Sequence, residues 1–135
     1  MYNHVLVPIS FDDDRNAPQA VEVAKRLRAK GGLITLLHVM EQIPSYAVNY
    51  IPEGFHDEVK VAIATSLSDL AEGAERVDAA VVEGHSGRTI LDWAEEHGPD
   101  LIVIASHRPG LQDYFLGSTA AQVVRHAQCS VHVLR

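Results

Sequence analysis

The sequence predicts an α/β protein built on a doubly wound parallel sheet, Rossmann-like, with helices on both faces. Three observations carry that expectation. Short apolar runs of strand length alternate along the chain with segments of helical period, giving β-α-β-α-β-α-β-α-β. Leu33 to Met40 is nearly continuous in apolar residues, as expected of a strand covered on both faces. No repeat, low-complexity tract or composition break divides the chain, so residues 1–135 read as one domain.

The elements follow in order. Val5-Leu6-Val7-Pro8-Ile9 is the first strand, stopped by Ser10 and the acidic turn Asp12-Asp13-Asp14. Ala17, Ala20, Val21, Ala24 and Leu27 repeat with the spacing of one helix face, and Gly31-Gly32 is expected to end that helix. Leu33 to Met40 is the second strand. Residues 41–55 carry Pro44, Pro52 and Gly54 and read as the longest irregular connection, of a length that suits a lid or contact surface. Val59, Ala62, Ile63, Ser66, Leu67 and Leu70 mark the second helix. Val77 to Glu83 is the third strand. Ser86 is expected to cap a third helix that buries Ile90, Leu91 and Ala94, packs Trp93 on the sheet and ends near Gly98-Pro99. Leu101 to Ala105 is the fourth strand, Ser118 to Ala127 the fourth helix and Val131 to Leu134 the fifth strand. His38 and His132 fall inside strands and read as hydrogen-bonded structural residues. Cys129 reads as a small buried residue at a strand start.

The net charge of −7 argues against nucleic-acid binding, which needs a basic face to displace counterions. One cysteine excludes an intrachain disulfide. The chain starts directly on a strand-like segment, without a signal-peptide pattern, and no apolar run approaches the ~20 residues that span a bilayer. A cytoplasmic protein without membrane insertion is the expectation.

The stretch 105–119 carries the chemistry. A loop of small residues, Ala105 and Ser106, leaves a buried strand, and Gly117-Ser118-Thr119 opens a helix. Unpaired backbone N–H groups and the helix dipole make such a terminus favourable for a phosphate. Within the loop, Gly110 can adopt positive φ, Arg108 supplies a permanent cation and His107 a hydrogen-bonding ring. The plainer reading is that Ser118 or Thr119 only caps the helix. No Gly-Lys-Ser/Thr occurs, so this is not a P-loop, and Pro8-Ile9-Ser10 replaces the dinucleotide glycine pattern after the first strand. In a doubly wound sheet the ligand binds where strand order reverses, at the strand carboxyl ends. Asp12-Asp13-Asp14 could attract Mg²⁺ carried on phosphates, although such runs commonly form solvated helix starts. No nucleophile–base pair is identifiable: Ser106 and His107 are neighbours in sequence, which does not pair their side chains. At most slow ATP hydrolysis is expected.

Over its whole length the chain resembles the universal stress protein family, in the form of its small bacterial F/G-type members. The resemblance rests on Val5-Leu6-Val7-Pro8-Ile9, Gly84, Asp100 to Ile104, the 105–119 segment, Val123-Val124-Arg125-His126-Ala127 and Val131 to Arg135. It implies a five-stranded parallel sheet of order 3-2-1-4-5, of the adenine-nucleotide α-hydrolase-like type. It implies an ATP-binding stress-response regulator, with AMP or ADP as alternatives and Mg²⁺ accompanying the phosphates. Pro8, Ile9 and Val39 would flank the adenine. Ala105, Ser106, His107, Arg108 and Gly110 would line ribose and phosphates, and Gly117, Ser118 and Thr119 would cradle the phosphates. Ser10 stands where ATP-binding members carry an acid that holds the nucleoside end. Ala105 replaces the first motif glycine, and the spacing to Gly117 is one residue short of the family's Gly-x-x-Gly-x9-Gly-Ser/Thr. The resemblance further implies a homodimer paired through Val131 to Leu134, acting on a protein partner that the sequence does not name. The departures support an alternative: a homodimeric interaction module of the same fold that binds no nucleotide.

Overall fold

A computed structural model describes residues 1–11, 16–106 and 116–135. Its elements are β1 (Tyr2–Pro8), α1 (Asn16–Leu27), β2 (Arg28–Met40), a short 3₁₀ turn (Val48–Tyr50), α2 (Phe55–Leu70), β3 (Val77–Glu83), α3 (Ser86–His97), β4 (Leu101–Ala105), α4 (Ser118–His126) and β5 (Ser130–Leu134). The five strands form one sheet in the order β3-β2-β1-β4-β5, with every pairing parallel. Both the expected fold class and the strand order are found.

Side chains alternate across a strand, so each strand feeds both faces of the sheet. On one face Val5, Val7, Ile34, Leu36 and Val103 pack against Ala17, Ala20, Val21 and Ala24 of α1 and Leu67 of α2. On the other, Leu6, Leu37, Ile102 and Ile104 pack against Ile90 of α3 and Ala120 and Val123 of α4. Val5, Leu6, Val7 and Ile102 are wholly inaccessible, as befits central strands buried on both sides.

Several boundaries differ from the sequence expectation. Gly31-Gly32 does not end α1, which stops at Leu27. The glycines lie inside β2, where Tyr2 pairs with Arg28 but His4 pairs with Leu33. Gly31 takes φ +78, and a Cβ on Gly32 would sit 2.8 Å from Arg28 Cγ and 3.0 Å from Tyr2 O. The pair therefore makes a bulge that resets the register between the first two strands. Ser86 does not cap α3: it is the first helical residue, and extended His85 occupies the cap. At the other end Gly98, at φ 67, closes α3 with its N–H on the Ala94 carbonyl at 2.8 Å, close to where Gly98-Pro99 was expected to end it. His132 is exposed on β5, and its side chain forms no hydrogen bond among the described residues, so the expectation of a hydrogen-bonded role fails there. Cys129 is half-buried beside the α3/α4 core. Burial and the nearby Asp100 carboxylate push its thiol pKa up.

Candidate functional site

β1 leads towards β2 on one side of the sheet, whereas β4 lies on its other side, so strand order reverses between β1 and β4. Chains leaving two such neighbours diverge, and the space between them is the usual ligand position. A cleft of about 1130 Å³ opens there.

Pro8, Ile9 and Ser10 line it at the end of β1, Val39 at the end of β2, Ala105 and Ser106 at the end of β4, and Gly117, Ser118 and Thr119 at the start of α4. The structure thus brings nine of the sequence-selected residues to one cavity. His107, Arg108 and Gly110 lie outside the described residues, as do Asp12, Asp13 and Asp14. Among the described residues, no three His, Cys, Asp or Glu side chains converge as metal ligands.

The α4 terminus is held by backbone. Ser106 N–H donates to the Leu134 carbonyl at 2.8 Å, and Gly117 N–H donates to the Ser106 carbonyl. The first ties the end of β4 to β5, and the second ties it to the start of α4. Gly117 is the helix cap, at φ −62 and ψ 158, so neither Ser118 nor Thr119 performs the capping role of the plainer reading. Both belong to the first helical turn, whose N–H groups have no intrahelical acceptor. Ser106 is buried to 1 % exposure, whereas Ser118 is exposed. No lysine or arginine lines the cleft among the described residues. An anion there would meet only the α4 dipole and its first amides.

The sheet divides the lining into two walls. Pro8, Leu37, Val39 and Ile104 face the α3/α4 side and meet Ser86, Ile90 and Ala120. Ile9, Phe11 and His38 face the α1/α2 side and meet Ala17, Ala20, Val59, Ala62, Ile63 and Ser66. Apart from Ile9, the sequence reading did not select the second wall for the site. Its residues carry only the helical and strand periodicity of ordinary core faces, and nothing in that periodicity separates a core face from a cleft face. His38 is hydrogen-bonded as expected: Nδ1 donates to the Ile9 carbonyl at 2.7 Å, and its ring lies 5.2 Å from that of Phe11. Glu41, exposed at the rim beyond Val39, was also unselected.

A parallel sheet of this order, with a cleft at its switch point and helices on both faces, defines an α/β protein of the Rossmann-like class. The chain belongs to the universal stress protein family, whose family model matches residues 1–135. It is 30% identical over 142 residues to universal stress protein G of Shigella flexneri, covering the whole of both chains. Among solved structures it is similar to universal stress protein UspA from Lactobacillus plantarum, with 27% identity, a TM-score of 0.74 and coverage of 99% and 98% of the two chains. A universal stress protein from Archaeoglobus fulgidus in complex with dAMP shares the fold, with a TM-score of 0.69, 18% identity and coverage of 99% and 98%.

Proposed function

We propose that this protein is an adenine-nucleotide-binding regulator that takes ATP, or AMP or ADP, in the cleft between the ends of β1 and β4. The observation that carries the reading is the start of α4: Gly117, Ser118 and Thr119 meet the small residues Ala105 and Ser106 at the switch point of the sheet. Unpaired N–H groups there suit phosphate oxygens, and a side chain larger than Ala105 would hold them away. The dAMP complex of the Archaeoglobus fulgidus relative supports the same ligand class. Mg²⁺ would arrive on the phosphates, since the described lining offers it no ligand cluster of its own.

Ligand binding would act by changing the surface that the rim of the cleft shows to a protein partner. Turnover is at most slow, because no activated nucleophile or water-directed base is identifiable among the described residues. Calorimetric titration with ATP at millimolar Mg²⁺ tests the reading. Saturable heat and a raised Tm are expected; neither, at millimolar ligand, overturns it.

The functional unit is proposed to be a cytoplasmic homodimer paired through Val131 to Leu134. β5 is an edge strand, so one side of its backbone is unpaired within the sheet. Among the described residues no helix is long and apolar enough to cross a membrane. Light scattering that returns a monomer mass at micromolar concentration overturns the pairing. Ala105 and Ser10, standing where nucleotide-binding relatives carry glycine and an acid, favour the second reading, an interaction module without nucleotide. Binding of ATP separates the two.

A further inference from the structure

We infer that two copies of the chain pair antiparallel through β5 about a two-fold axis at His132, and that the two His132 rings meeting there make the dimer sensitive to acid. The inference rests on the dimer proposed above and assigns its register and its regulation.

The backbone of β5 shows which of its groups are free. Ser106 N–H donates to the Leu134 carbonyl at 2.8 Å, so Leu134 turns its backbone polar groups towards β4. Successive residues of a strand turn theirs to alternate sides. Ser130 and His132 therefore also face β4, and the N–H and C=O groups of Val131 and Val133 lie along the free side of the strand. Two copies that share this same side in a closed dimer are related by a two-fold, which sets the strands antiparallel. With the axis at His132, Val131 stands opposite the partner's Val133, and Val133 opposite the partner's Val131. Each pair exchanges both N–H···O=C bonds, so every outward group of β5 is satisfied. Centring on Val131 or Val133 leaves only the central pair bonded within β5 and must recruit Cys129 or Arg135, which lie outside the strand.

Side chains alternate between the two faces in the same way. Val131 and Val133 pack in the α3/α4 core, Leu134 in the α1/α2 core, and His132 is exposed on the Leu134 face. In this register that face sets Ser130 against the partner's Leu134, and His132 against the partner's His132. The histidines form a non-hydrogen-bonded pair, the closer kind, with Cα atoms about 4.5 Å apart. One neutral ring can donate N–H to the bare nitrogen of the other. Two imidazolium rings are like charges directly opposite, which destabilises a strand pair.

Neighbouring charge among the described residues gives little relief. β4 places Val103 beside His132 and carries no titratable side chain. Asp100, ahead of β4, is taken up by the N–H groups of Asn3 and His4, both at 2.9 Å. α1, packed on β4, carries Glu22, Lys25 and Arg26, and Glu22 pairs with Arg26 at 3.2 Å. Arg125 and His126 at the end of α4 and Arg135 past the strand add positive charge. Imidazole changes charge between pH 5 and 8, so acid loosens the dimer.

Sedimentation of the wild-type protein at pH 7.5 and pH 5.0 is the first test. The dimer Kd should rise at least about tenfold in acid, the scale of one proton fewer bound by the dimer than by two monomers over a pH unit. His132→Thr, at ease in a strand, should dimerise with one Kd at both pH values. The register has its own readout. In a Cys129→Ala background, His132→Cys sets a thiol against its symmetry mate at disulfide distance, and diamide, taking up the two thiol hydrogens, should link the subunits. Ser130→Cys, facing the partner's Leu134, should stay unlinked. A wild-type Kd that does not move with pH, a pH dependence that survives in His132→Thr, a His132→Cys dimer that stays unlinked, or Ser130→Cys linking as readily overturns this inference and leaves the dimer standing. A monomer at micromolar concentration and pH 7.5 overturns the dimer and this inference with it.

Discussion

The two edges of the sheet treat their polar groups in opposite ways. At the amino edge they are paired within the protein. Asp100, just before β4, accepts N–H bonds from Asn3 and His4 of β1, both at 2.9 Å. His4 Nε2 shares a 2.9 Å hydrogen bond with the buried hydroxyl of Thr35 on β2. The Trp93 ring stands edge-on to His4 at 5.9 Å, and His97 stacks on Trp93 at 3.8 Å. At the carboxyl edge the first α4 amides lack intrahelical acceptors, and the His38 ring lines the cleft. The same five strands are stapled at one end and left receptive at the other. Substitutions at the amino edge should therefore change stability and spare binding, and those at the carboxyl edge should do the reverse.

The largest effect that sharpens this division is expected at Gly117. Its φ and ψ lie in the extended region that any residue adopts, so Gly117→Val leaves the backbone unstrained. Gly117 lines the cleft, and a branched side chain at this cap residue would crowd phosphates that meet the α4 amides. ATP affinity should fall by about a hundredfold, the scale of two lost charge-assisted hydrogen bonds, with Tm near wild type. A large drop in Tm with affinity preserved would break the comparison.

Next is Asp100→Ala, which strands the His4 and Asn3 N–H groups. Asn3 is exposed and recovers water, so the loss should be about 2 kcal/mol, measured by urea denaturation at pH 7. Burial works to raise the Asp100 pKa, but the N–H donors from Asn3 and His4 outweigh it and hold the carboxyl below its ordinary range. The folded pKa thus lies under the unfolded one, so the contribution is complete above the ordinary carboxylate range. It is lost as pH falls through the folded value. The gap between wild type and Asp100→Ala should accordingly narrow in strong acid, while ATP binding at pH 7 is the same for both. Thr35→Val is a smaller case at the same edge: it removes the hydroxyl partner of His4 and should cost about 1 kcal/mol.

How far the sequence could be read follows the same physical division. β3 and β4 were legible to the residue, because a short apolar run between turn signals has few alternative readings. The start of β2 was not, since Arg28 joins the strand only through its pairing with Tyr2, a non-local contact with no pattern of its own. α2 begins at Phe55, ahead of its apolar repeat, after Gly54 at φ 83 turns the chain into it. In the cleft, the end of β4 and the α4 start were legible from small residues and a glycine at strand and helix ends, whereas Pro8, Ile9 and Val39 were reached through the family resemblance. The rest of both walls was hidden because Leu37, Ile104, Ala17, Ala20 and Ile63 read as core. His38 was correctly read as a bonded strand residue, yet which nitrogen is bonded depends on where β1 ends.

The smallest expected effect is the titration of His4, and it tests whether the amino edge is truly closed. Burial lowers the His4 pKa, and the nearby His97 ring adds to this; the Asp100 and Asp78 carboxylates and a hydrogen bond to the His97 backbone oppose it without reversing the direction. A folded pKa below the unfolded one means that the unfolded chain binds more protons at mildly acidic pH. Stability should therefore fall as pH drops from about 6.5 towards the depressed value, and then level off as far as this group is concerned. The opposed influences keep that slope shallow. His4→Gln, which can still reach Thr35 with an uncharged group, should flatten the difference in urea midpoint between pH 7 and pH 5 and leave ATP affinity unchanged at pH 7. Persistence of the full slope in His4→Gln would mean that another histidine carries it. The assignment of pH-dependent stability to the closed edge would then fail.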